Sequence, residues 1–190
     1  MTETKNTKDD SSLMWKQGAS KILLHTPVFD VTSVPSVSAQ GVSGDYVVLN
    51  GPDWVIVVPD AGKDFLMVKQ WRHGENALSI EFPGGVMDKG ETPEQAAARE
   101  LKEETGCSAG KLIHLRTMNP NPAVMSNHVH FFLAQDLSSA GEQQLDEDEF
   151  ISCFAMSKDE VGQKMGSKEF PHAIMASALM FYWQYERYHK

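Results

Sequence analysis

Residues 84 to 106 read GGVMDKGETPEQAAARELKEETG, and this stretch constrains the chain more than any other. Thr92-Pro93-Glu94-Gln95 carries three helix-start signals at once. Threonine can accept from the backbone N–H three residues on, proline suits the first helical position because its missing N–H is not needed there, and glutamine can return the bond. Gly106 supplies the matching left-handed stop. The spacing predicts a helix over 93–105. At about 100° per residue, Glu100, Glu103 and Glu104 fall in one narrow arc. Ala97, Ala98, Leu101 and Thr105 form a neighbouring apolar arc suited to packing on a sheet while the carboxylates face a cleft. Like charges at this spacing weaken a bare helix by roughly a few tenths of a kcal/mol. A divalent cation reverses that sign, because Mg2+ and Mn2+ prefer hard oxygen donors. The plain alternative is a solvated glutamate face. Gly84 and Gly85, which permit close backbone approach, and Glu91, placed to pair with Arg99, favour the metal reading.

The remainder sets the frame. Residues 1–19 hold few apolar side chains and are expected to form a disordered tail. Residues 20–59 read as β-strands, with NGPD at 50–53 as turn chemistry joining two strands of a hairpin. Residues 60–190 read as one domain: strands at 64–72 and 78–81, the helix of the opening stretch, strands at 111–118 and 128–135, and a strand at 150–156. A short helix capped by SKDE and a long C-terminal helix follow. The proline-rich loop NPNPAVMSN, 119–127, is expected to be a ligand lip, and the acidic LDEDE run, 145–149, a solvated loop. The class expected is α+β with a mixed sheet and an N-terminal β-strand subdomain. The net charge of -9 argues against nucleic-acid and anionic-membrane partners, so a phosphate-bearing ligand would need a metal or a few cations. Cys107 and Cys153 give no disulfide framework. With no secretory or membrane-spanning segment read, the expected location is cytoplasmic.

The order G-x5-E-x7-R-E-U-x-E-E-x-G-U, with U a bulky apolar residue, is the Nudix box, and the chain resembles it at Gly85, Glu91, Arg99, Glu100, Leu101, Glu103, Glu104 and Gly106. Cys107, in the last apolar position, is a mild departure. The resemblance implies an α/β/α sandwich that hydrolyses a nucleoside diphosphate linked to another moiety, with Mg2+ or Mn2+ as cofactor. It implies Glu100 and Glu104 as metal ligands, Glu103 as a further ligand or the catalytic base, and Gly84 as a backbone-carbonyl ligand. Glu91 and Arg99 would be a structural pair.

Gln70-Trp71-Arg72 followed by EFPGG, with Pro122 beyond the box, resembles the flank of ADP-ribose pyrophosphatases and related nucleotide-sugar hydrolases. That implies Arg72 on a phosphate and Glu81 ordering the nucleotide or terminal sugar. Where many of that subgroup carry a catalytic glutamate, this chain has Asn127. An amide can contact substrate but cannot act as a base, which leaves the box glutamates, or His128, Glu147 or Glu149. His128 and His130 share one strand face, more in the manner of packed or hydrogen-bonded histidines than of a metal pair. The subgroup is usually homodimeric through its N-terminal strands, which implies a homodimer here. The alternatives are a non-catalytic nucleotide sensor on the same fold and a hydrolase of dinucleoside polyphosphates.

Overall fold

The computed structural model describes residues 10–147 and 149–189, so the expected disorder of residues 1–9 lies outside the described residues. The chain divides into two compact units, 1–51 with 121–126, and 52–120 with 127–190.

In the first unit a 3-10 turn, Asp10–Leu13, precedes four strands: β1 Trp15–Gln17, β2 Lys21–His25, β3 Asp30–Ser38 and β4 Ser43–Asn50. All pairings are antiparallel. β3 is central, with β4 along one edge and β1 and β2 in turn along the other. The expected tail therefore gives way to structure within 10–19, because Trp15, Lys16 and Gln17 pair with 36–38 of β3. A sequence-local reading cannot see a distant strand that completes a ladder. Thr26 closes the β2–β3 turn, its Oγ1 both donating to the Phe29 carbonyl and accepting from the Phe29 N–H. Val34 is the one apolar side chain of this unit that is buried among the described residues, whereas Ile22, Leu23 and Leu24 of β2 are exposed.

The second unit contains β5 Trp54–Ala61, β6 Asp64–Arg72, β7 Ala77–Glu81, α1 Pro93–Thr105, β8 Cys107–Met118, β9 Val129–Ser139, β10 Ser152–Ser157, α2 Lys158–Lys164 and α3 Ala173–His189. Its sheet has the order β10-β6-β5-β9-β8, with β7 also on β6. β5 and β9 run parallel, in register Val55↔His130 and Val57↔Phe132, while the other pairs are antiparallel. This is the mixed sheet and α/β/α sandwich expected. β5 reads WVIVVP without polar interruption because both its faces are covered. Val55 and Val57 pack with Phe132, Ala96, Ala97 and Leu101 under α1. Ile56 and Val58 join Phe131, Leu133 and the α3 residues Met175 and Leu179 on the other side. Each fully buried side chain of this kind contributes about 1.5 to 3 kcal/mol.

The boundary and the hairpin differ from expectation. β4 and β5 do not pair; they belong to separate sheets that part at Gly51/Pro52 rather than after Pro59. A two-residue hairpin turn needs positive φ at its glycine, and Gly51 is not among the positive-φ glycines. The proline-rich loop also contributes 121–126 to the first unit, through Leu49 N–H to the Val124 carbonyl and Ser126 N–H to the Leu49 carbonyl. No helix among the described residues is long and apolar enough to cross a membrane.

Candidate active site

β6 meets β5 only at the hairpin end, Asp60↔Phe65 and Ala61↔Asp64. The segment leaving β7 fills the opening and runs along β5. Val57 N–H donates to the Pro83 carbonyl, Val55 N–H to the Gly85 carbonyl, and Met87 N–H to the Asp53 carbonyl. At Gly84 the backbone is so close that a Cβ would lie 2.2 Å from the Val55 carbonyl oxygen. This ladder holds the Gly84–Gly85 backbone against α1.

α1 begins and ends where its sequence says. Thr92 Oγ1 accepts from Gln95 N–H, Gln95 Oε1 accepts from Thr92 N–H, and Gly106 closes the helix in the left-handed region. Its inward stripe differs from expectation. Ala96, Ala97, Glu100, Leu101 and Glu104 are buried, while Ala98 faces solvent. Two of the three clustered carboxylates thus share the packing face instead of lining a rim, and the Glu103 side chain is partly exposed beside them.

Arg99 organises the cluster. Nε and Nη2 donate to the two oxygens of Glu91 at 3.0 and 2.9 Å, Nη2 also reaches the Val86 carbonyl at 3.1 Å, and Nη1 is shared by Glu100 at 2.8 Å and Glu103 at 3.0 Å. All five guanidinium N–H groups are thereby engaged. Glu91 accepts from Asp88 N–H as well, and Arg99 holds its carboxyl below the usual range.

Glu104 Oε2 accepts from Gly84 N–H at 2.9 Å. Burial pushes the Glu104 carboxyl up to about 8 and the Glu100 carboxyl to about 7. Like charge adds to this: Glu149 acts on both, Glu100 on Glu104, and Glu103 on Glu100. Burial therefore disfavours charge on both acids. The donor set fits a hard divalent cation: carboxylates on one buried stripe, beside a glycine where a Cβ would come within 2.6 Å of Glu100 Oε1. No three such side chains already converge at ligand distance among the described residues; Glu100 and Glu103 both turn to Arg99 Nη1.

A model of the NUDIX domain matches residues 50–177. The chain belongs to the Nudix family. Among the relatives of this Nudix chain, an ADP-ribose pyrophosphatase of Bacillus subtilis is 38% identical over 128 residues, covering 67% of this chain and 69% of that protein. An ADP-ribose pyrophosphatase of Saccharomyces cerevisiae is 30% identical over 165 residues, 81% of this chain and 69% of that one. The ADP compounds hydrolase NudE of Escherichia coli is 30% identical over 112 residues, 58% and 60% of the two. A crystal structure of an ADP compounds hydrolase superposes with a TM-score of 0.81 over 91% of this chain and 94% of that one, at 24% identity, a likeness in fold.

Two of the three residues expected to touch substrate, Glu81 and Asn127, are buried. Glu81 has no exposed surface, and both its oxygens are held by Arg72, Nε at 2.8 Å and Nη2 at 2.5 Å. Burial works against its charge, but the Arg72 bonds outweigh it and hold the carboxyl below the usual range. Both Glu81 oxygens are thus engaged by Arg72. Arg72 keeps 40% of its side chain exposed, and among the described residues only its Nε and Nη2 donate, to Glu81. Asn127 is 2% exposed and donates from Nδ2 to the Pro52 carbonyl at 3.0 Å. Gly84 presents its N–H to Glu104 Oε2.

His130 is hydrogen-bonded at both ring nitrogens, to Asp53 Oδ2 at 3.0 Å and Thr117 Oγ1 at 2.9 Å. Glu149, weighed from the sequence as a candidate base although its run reads as a solvated loop, acts electrostatically on Arg72, Glu100 and Glu104. One contributor was hard to see in advance. His172 sits at the start of α3, its Nδ1 accepting from Ile174 N–H, half-buried in the field of Glu81 and Arg72. The sequence signal for His172 was its place just before a long amphipathic helix.

Proposed function

We propose that this Nudix chain is a divalent-metal-dependent pyrophosphatase that cleaves ADP-ribose, or a related nucleoside diphosphate sugar, into a nucleoside monophosphate and a sugar phosphate. The observation that carries the reading is the buried carboxylate pair Glu100 and Glu104, both pushed upward by burial and facing the Gly84–Gly85 backbone. The names of the curated relatives support the substrate class.

Glu100, Glu104 and Glu103 would hold Mg2+ or Mn2+, with the Gly84 carbonyl completing the set. When bound, such an ion neutralises phosphate oxygens and makes water a better nucleophile at neutral pH. Arg72, gripped from behind by Glu81, would meet a phosphate with a guanidinium whose orientation is already set. Hydrolysis adds the water oxygen to one phosphorus, breaks the bridging P–O bond, and needs an acceptor for the water proton. Glu103, if it does not ligate the metal, or Glu149 would take that proton, since Asn127 is not basic. Arg99 and Glu91 would keep the loop on the helix through every turnover.

A second copy of the chain would cover the first unit, which buries almost no apolar side chain of its own while exposing Trp15, Ile22, Leu23, Leu24 and Val47. A homodimer is proposed on that ground.

The deciding experiment is phosphate release, coupled to a phosphatase, across ADP-ribose, ADP-, GDP- and UDP-sugars, NADH and dinucleoside polyphosphates with Mg2+. Preference for ADP-ribose or another nucleoside diphosphate sugar upholds the reading. Preference for dinucleoside polyphosphates changes the substrate class, and silence across the panel overturns the enzyme in favour of a nucleotide sensor.

A further inference from the structure

The last turn of a helix leaves carbonyls with no partner inside the helix, and in α1 two of them belong to Glu103 and Glu104. Lys102 is served by Gly106 N–H, and Leu101 receives an extra bond from Thr105 Oγ1. The carbonyls of Glu103 and Glu104 are met from outside, by the polar segment that follows β9. Gln144 N–H donates to the Glu103 carbonyl at 2.9 Å, and Gln143 Nε2 donates to the Glu104 carbonyl at 2.5 Å. Ala140 N–H adds a bond of 2.7 Å to the Gly106 carbonyl. The approach is close enough that a Cβ on Gly106 would stand 2.5 Å from the Gly141 carbonyl oxygen.

From this geometry we propose that Gln143 is a positioning residue for hydrolysis: its amide, with the Gln144 N–H, clamps the last turn of α1 and so sets where the Glu103 and Glu104 side chains project. This rests on the reading of those carboxylates as the working ones. The residue type suits the task. A glutamine in an acidic segment brings a neutral N–H donor to a helix C-terminus, where a glutamate would bring no donor and would repel the negative end of the helix. Released to water, the turn would fray, and Glu103 and Glu104 would be the first charged residues to lose their aim. The clamp also joins that turn to Glu149, since Gln143 and Glu149 lie on one short segment whose far end is closed by Asp146 N–H on Glu149 Oε2.

The test compares Gln143→Leu, which keeps the bulk and loses the donor, with Gln143→Arg, which keeps N–H donors. Hydrogen exchange of the metal-free protein reads the clamp without turnover. Gln143→Leu is expected to speed exchange at Gln144, Gly106 and Ala140 by about tenfold, leaving the β5 and β9 amides unchanged, because local opening is separable from global unfolding. With ADP-ribose and Mg2+, kcat is expected to fall about tenfold with KM within about twofold, the pattern of lost positioning. Gln143→Arg is expected to restore both readouts. Unchanged exchange and kcat in Gln143→Leu would overturn the proposal, as would equal losses in both variants, or exchange that speeds uniformly through β5 and β9. If the wild type cleaves no compound in the panel, the substrate reading fails, while the exchange comparison still decides the clamp.

Discussion

Arg72 and Glu81 form a two-bond ion pair with one end sealed and the other open: the Glu81 side chain is fully buried, and 40% of the Arg72 side chain faces solvent. Removing either partner therefore does different damage.

Arg72→Ala strands a buried carboxylate and is expected to cost about 3 kcal/mol, besides raising KM more than it lowers kcat. Adding Glu81→Gln to that variant should return most of the stability and none of the KM. Urea midpoints and steady-state kinetics on the two variants check this. A KM restored by the second change would show that Arg72 does not touch substrate.

Glu104→Gln keeps the shape and can still accept from Gly84 N–H through its amide oxygen, but removes a metal-binding charge. Turnover is expected to fall by roughly a thousandfold or more, with an unaltered circular dichroism spectrum. Activity within tenfold of wild type would remove Glu104 from the site.

The pH dependence of stability follows from the same two acids. Both carboxyls are raised above the ordinary 4.5, Glu100 to about 7 and Glu104 to about 8. An acid with a raised folded value favours the fold in its protonated form. Its stabilisation is complete below the unfolded value and is lost as pH rises through the folded one. The metal-free protein should thus lose Tm as pH rises between 4.5 and 8. Mg2+ should restore it, and Glu104→Gln should flatten the upper part of the fall. A metal-free Tm that climbs through this window would contradict the burial assigned to the pair.

Arg99→Lys retains the charge and loses the fork. A single ammonium cannot serve Glu91, Val86, Glu100 and Glu103 together, so the variant is expected to lose about 2 kcal/mol of stability. It should also bind Mn2+ more weakly, because the Glu91 loop is no longer held to α1. Thermal melts and Mn2+ titration read the two effects separately.

Whatever is local was legible in the chain. Thr92, Pro93, Gln95 and Gly106 mark both ends of α1, and the i, i+3, i+4 spacing brought the acids to attention. Which way the helix faces was not legible, because Ala96 and Ala98 are the same residue in the sequence and only the sheet beneath distinguishes them. The burial of Glu81 and Asn127 was hidden for a related reason: polar residues near a motif suggest contact with ligand, and only the tertiary structure shows the partner of each, Arg72 for one and the Pro52 carbonyl for the other. NGPD is good turn chemistry, but a turn says nothing about whether the strands on either side will pair. Gln143 was obscured by composition, since an acidic polar run looks alike whether it is solvated or folded onto a helix end.

The interleaving of Glu100 and Glu104 with Ala96, Ala97 and Leu101 along one stripe of α1 bears on how such a protein can change. In many enzymes the reacting groups ride on loops that vary while the scaffold is kept. On the function proposed above, one helical face would serve as scaffold and reagent together, so a helix that rolled by one residue would exchange acid for alanine and unpack the sheet in the same step. Mutational drift toward new substrates would thereby be channelled away from α1, toward Arg72, His172 and the segment that ends at Glu149.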